Sequence, residues 1–157
     1  MTIISICANC LDIEPYRQYA YTFVAISTMT RVTFAFREDV GYFALDTISV
    51  RAISAPSTNL VTNSGFEMGN FSSWIYCNPS GSTSAGTIKR NSDNFMFKSR
   101  TYQAYAGNYF YLDGAVGNAD YLSQTLSTNI SETYNISFWL YNQQNGINNF
   151  ADVIVST

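Results

Sequence analysis

The sequence predicts an all-β fold, an antiparallel sandwich or barrel with little helix, and three observations carry that prediction. The first is period-two alternation, in which successive side chains point to opposite faces of a strand. In Thr30–Arg37, Val32, Phe34 and Phe36 share one face, while Arg31, Thr33, Ala35 and Arg37 share the other. The second is turn chemistry recurring at roughly 8–12 residues, the spacing of short antiparallel strands. The third is composition: aromatics reach 16% and charged residues only 12%, with Ser, Thr and Asn taking their place. That is poor material for helices and good material for strands.

Taken in chain order, strands are expected at 20–26, 30–37 and 42–50, with Asp39-Val-Gly41 as the turn between the second and third. Asn59–Thr62 follows and ends in Asn63-Ser-Gly65; Asn78-Pro-Ser-Gly81 marks a further turn. Tyr109–Asp113 and Tyr121–Leu126 are separated by Asp113-Gly114 and Gly117-Asn118. Thr133–Tyr141 alternates cleanly, with Tyr134, Ile136, Phe138 and Leu140 one way and Asn135, Ser137, Trp139 and Tyr141 the other. Asn145-Gly146 then leads to 151–156. Each turn places Gly or Asn where a positive φ is tolerated. No long, capped, 3.6-residue pattern occurs. Residues 53–58, small and polar with a proline, read as a linker between 1–52 and 59–157.

The 157 residues suit one domain with a self-sufficient core. A net charge of −3, a pI near 4.7 and only eight Lys plus Arg, in no basic run, argue against a nucleic-acid partner. Histidine is absent, which removes the commonest general base and a usual zinc ligand. No apolar run reaches the roughly 20 residues of a membrane-spanning helix. The opening MTIISICANC lacks the basic flank of a secretory signal. Sequons at Asn70, Asn129 and Asn135 are compatible with a secreted glycoprotein. Cys7 and Cys10 form a C-x-x-C that nothing completes as a zinc site. A bond from Cys77 to one of them, leaving one spare thiol, is the outcome weighed, and the pairing stays open at this point.

The segment Asn59-Leu-Val-Thr-Asn63-Ser-Gly65-Phe66-Glu67-Met-Gly69, followed by Trp74, resembles the opening of jelly-roll carbohydrate-binding modules of the family four and nine type, which are galactose-binding-domain-like. Ser73 stands before Trp74 where those modules carry glycine. Tyr105–Asp113, Leu122-Ser-Gln124 and Thr133–Trp139 look like the middle of the same module, and Thr30–Val50, closing on Leu45-Asp46-Thr47-Ile48-Ser49-Val50, looks like its end. The resemblance covers most of the chain but in inverted order. It implies one circularly permuted module, or a unit cut out of phase from a tandem array, built as two antiparallel sheets of four to five strands. A closed monomer is favoured over a swapped dimer or head-to-tail filament, because both halves are tethered.

The resemblance also implies a structural calcium held by Glu67 and Asp46, with carbonyl oxygens of the Gly107–Asn108 loop completing its shell. The alternative is that both are turn acids bonded to backbone amides. For function it implies noncatalytic binding of a polysaccharide or glycan by an extracellular module. Trp139 and Tyr141, with Asn135 beside them, would lay rings against the flat C–H face of a sugar, and Arg37 would donate to hydroxyls. Tyr109 and Tyr111 are further candidates, as is the amide-rich run Gln143-Gln144-Asn145 with Asn148-Asn149. Each aromatic could instead be packing; Trp74 is read as core. Asp39, Asp113, Asp120 and Asp152 are the free carboxylates, but none sits in a catalytic motif, so an enzyme is not expected. The rival function is a structural or adhesive repeat that contacts other proteins or assembles with itself.

Overall fold

The computed structural model describes residues 1–10, 14–142 and 147–157. Among these, the strands in chain order are β1 (Thr2–Ala8), β2 (Glu14–Val24), β3 (Met29–Glu38), β4 (Phe43–Ala52), β5 (Ile75–Cys77), β6 (Thr87–Arg90), β7 (Met96–Phe97), β8 (Arg100–Thr101), β9 (Tyr109–Asp113), β10 (Asp120–Ser127), β11 (Thr133–Asn142) and β12 (Asn149–Ser156). A single 3-10 turn, Asn91–Asp93, is the helical content of the described residues. One five-stranded sheet runs β1-β12-β3-β10-β5 and the other β2-β11-β4-β9-β6; β7 and β8 form a small separate hairpin. Every pairing is antiparallel, and the chain alternates between the two sheets except that β6 and β9, on either side of the β7–β8 hairpin, both belong to the second. This is the two-sheet jelly-roll sandwich expected.

Alternation decides which way each strand faces. Val32, Phe34 and Phe36 of β3, and Tyr134, Ile136, Phe138 and Leu140 of β11, are all buried. Phe34 meets Phe138 edge-on at 5.1 Å between ring centroids, and Phe36 meets Phe43 at 5.4 Å. Such pairs each contribute about 0.5–1.5 kcal/mol beyond burial. The same interior takes Phe23, Phe43 and Val50 from before the linker, and Phe66, Trp74, Leu122 and Val153 from after it. One core therefore joins 1–52 to 59–157 within a single chain. β1 lies antiparallel to β12, with Thr2 opposite Val155.

Several elements differ from the sequence reading. Asn59–Thr62 is not a strand. The Asn59 carboxamide accepts from Val50 N (2.9 Å) and donates to Ile48 O (3.1 Å), and Gln124 bonds both Thr62 N and Thr62 O. Side chains thus satisfy backbone groups that a neighbouring strand would otherwise have taken. β1 and the short β5, β6, β7 and β8 carry too little alternation to stand out. Cys7 bonds Cys10, and Cys77 is an exposed free thiol, so the Cys77 bond weighed above does not form.

Between β6 and β9, residues 91–108 fold back over the outer face of the second sheet. There they enclose a second, smaller core of Ala44, Tyr102, Phe110 and Leu112, flanked by Tyr16, Tyr42, Phe95, Phe97 and Tyr141. Half of that face is covered. The other half stays open.

Candidate functional site

The open half is built on β11. Its outward residues Asn135, Ser137 and Trp139 are half-buried, and Tyr141, also half-buried, stands at the margin where it packs on Tyr102 of the second core. Register places Asn135 between Thr22 and Arg51, Ser137 between Ala20 and Ser49, and Trp139 between Gln18 and Asp46. A bulge in β4 makes the last of these possible. Thr47 takes a left-handed φ of 50°, which lets Leu45 and Ile48 both turn inward while Asp46 turns out toward the 102–108 loop.

That loop delivers the ring that matters most. Tyr105 lies flat against Trp139, with centroids 3.8 Å apart and planes at 13°. Tyr16 approaches both Tyr105 and Tyr141 at 5.5 Å and donates its hydroxyl proton to Gln103 O (3.0 Å). Tyr105 keeps 43% of its surface exposed. The result is an aromatic wall beside a floor of amides and hydroxyls and the Arg51 guanidinium, which already donates from Nε to Ser49 Oγ (2.8 Å) and from Nη1 to Pro56 O (2.9 Å).

Two carboxylates hold the loop in place. Asp46 accepts from Thr47 N (2.6 Å) and Ala106 N (3.0 Å); Glu67 accepts from Asn108 N (2.9 Å) and Tyr109 N (3.0 Å). Gly107, at φ 71°, passes so close to the Glu67 carboxylate that a Cβ there would collide with it. Burial raises the Asp46 carboxyl to about 6, against the pull of the amide donors.

The carbonyls of Gly107 and Asn108, expected to face a cation, instead accept from Asn91 Nδ2 (3.2 Å) and Asn91 N (2.9 Å). Amide hydrogens surround the acid pair where calcium would need oxygens. The arrangement fits turn acids on backbone amides and does not fit the proposed calcium shell.

The candidate residues separate into groups. Trp139, Tyr141 and Asn135 share the outer face of the second sheet. Tyr109 and Tyr111 point to the opposite side of their strand: Tyr111 is wholly buried in the main core, and Tyr109 packs against that core with Gly69 close to its ring. Tyr111 therefore offers no face to a ligand. Arg37 lies on the other sheet and is engaged by Asp39 through Nε (2.9 Å) and Nη2 (2.7 Å), so it does not join the aromatic wall. Asn149 is buried and donates to Glu38 (3.2 Å), a structural role; Gln143, Gln144 and Asn145 lie outside the described residues.

Sequence reasoning missed Tyr105, Tyr16, Gln18, Ser49 and Arg51. Register with β11 would have flagged Gln18, Ser49 and Arg51, but Tyr105 sits in an irregular loop with no periodic signal.

Away from this face, Asp113 and Asp120 are fully buried together. Tyr111 Oη donates to Asp113 (2.6 Å), while Tyr76 Oη (2.6 Å) and Gly86 N (2.8 Å) donate to Asp120. Burial and the neighbouring Asp120 raise the Asp113 carboxyl well above the ordinary carboxylate range. No family model, curated protein or solved structure matches the chain.

Proposed function

We propose that this protein is a noncatalytic carbohydrate-binding module, and that the open outer face of the β2-β11-β4 sheet is where the glycan lies. The observation that carries this reading is the Tyr105–Trp139 stack standing beside Asn135, Ser137, Gln18, Ser49 and Arg51. A pyranose buries its apolar C–H face against a ring at low entropic cost, and amides, hydroxyls and a guanidinium read its hydroxyls. Asp113 and Asp120 are sealed in the interior, so this pair is not placed to act on a glycoside, which needs two carboxylates open to substrate and water. Sequons at exposed Asn70 and Asn129 support an extracellular setting. The resemblance in sequence motifs points the same way.

The test is a glycan array probed with the intact chain and with Trp139→Ala. Binding to a sugar class that falls about tenfold or more in the variant, with the melting temperature held, supports the reading. Signal that Trp139→Ala leaves unchanged, or no signal on any glycan, would leave the structural-repeat reading in its place.

A further inference from the structure

The sandwich has four edge strands, and they are unequally protected. An exposed edge carries unpaired N–H and C=O groups that accept another strand, and proteins block this with charge, proline or shortness. β5 has three residues. β6 has four, including Lys89 and Arg90. β2 carries Pro15 and Arg17 near its start. β1 has seven residues, TIISICA, with no charge and no proline.

The neutral zone extends beyond β1. Residues 1–10 and 18–30 contain no Asp, Glu, Lys or Arg, although the chain has 11 acidic and 8 basic residues elsewhere. β1 and β2 lie on the same side of the sandwich, each at the edge of its sheet. Between their ends opens a cleft of about 200 Å³ lined by Met1, Phe23, Val24, Ile26 and Val155. Val24 and Ile26 are 56% and 71% exposed there, and Ile3 on β1 is 55% exposed.

From these features we infer that the β1 edge is a self-association surface, pairing antiparallel with β1 of a second copy across a two-fold axis. The occupant follows from charge. A two-fold sets each residue of the strand against another residue of the same strand, so an edge bearing charge of one sign would repel its copy, while the uncharged β1 does not. Copies that each carry −3 at pH 7 meet more easily along a strand that itself carries no charge, although Asp152 of β12 stands opposite Ser5. The unpaired backbone asks for an extended strand, and the cleft, lined by Thr2, Thr22 and Ser156 as well as by apolar side chains, gives contact area beyond the ladder. Such pairing joins two closed sandwiches, exchanges no strands and uses neither Trp139 nor Tyr105.

Sedimentation equilibrium of the full chain over a concentration series tests it, alongside Ser5→Lys, at an exposed mid-edge position, and Ile75→Lys on β5 as the control. The intact chain should form dimers; Ser5→Lys should weaken them about tenfold or more, and Ile75→Lys should not. Hydrogen exchange at the β1 amides should slow as concentration rises, a reading that needs no variant. A chain monomeric at every concentration, a dimer indifferent to Ser5→Lys with unchanged β1 exchange, or a monomer that captures an unrelated extended peptide would overturn the inference.

Discussion

At the scale of single residues, the buried acids set how this protein responds to pH. Asp113 faces Asp120, Tyr111 and Tyr76, with no cation touching it among the described residues, and holds its proton more tightly than the unfolded chain would. Glu38 and Asp46 are raised by burial in the same direction, Asp46 to about 6. A raised folded value means the stabilising contribution is complete below the ordinary carboxylate range and is lost as pH climbs through the folded value. Stability should therefore be highest in mild acid and fall toward neutral and alkaline pH, by on the order of 1 kcal/mol per pH unit per group within its window. Asp39, lowered by Arg37 at the surface, opposes this weakly. Asp113→Asn keeps the shape and removes the titration, so its melting temperature should vary less with pH than that of the natural chain above about pH 5. An unchanged slope would place the effect elsewhere. Such a pairing was not legible in the sequence: Asp113 and Asp120 flank a turn, and only the fold brings both into a dry interior.

At the scale of elements, the 102–108 loop is the part on which the proposed glycan face depends. Glu67 is exposed yet bonds two of the loop's amides, so Glu67→Ala should cost only about 1 kcal/mol of stability. It should nevertheless speed hydrogen exchange at Asn108 and Tyr109 and weaken glycan binding through the displaced Tyr105 ring. Added calcium should leave the melting temperature of the natural chain unchanged, because amides occupy the acid pair. A calcium-dependent rise that Glu67→Ala abolishes would contradict this.

β11 and β12 were readable in the sequence because their buried and less buried faces alternate along the whole strand, and β3 because it alternates over its first half. β4, β9 and β10, with runs of consecutive buried residues, were readable from their apolar, strand-forming composition between turn signals. The segments 59–62 and 91–108 were not, because their contacts are made by side chains with distant partners. For the same reason Tyr111 stood among the candidates beside Trp139: strand parity gives two faces but does not name the covered one.

For the whole molecule, the two halves on either side of 53–58 contribute to one interior, and the first and last strands are paired neighbours. Ladders depend on adjacency and not on chain order, so we expect a chain joined from 157 to 1 by a short linker and reopened within 53–58 to fold to the same sandwich. Its stability should lie within about 1–2 kcal/mol of the original, since loop closure costs change slowly with length. An unfolded or aggregated product would show that order matters here. The glycan face has its own direct reading, because the chain holds only two tryptophans. Trp74 is buried with its indole N–H on Asn63 O (3.1 Å), and Trp139 lies on the open sheet. In a nitrogen–proton correlation spectrum, titration with the best oligosaccharide from the array should move the Trp139 indole signal and leave that of Trp74 in place. Saturating sugar with both indole signals unmoved, or with the Trp74 signal shifting alone, would contradict the assignment of this face.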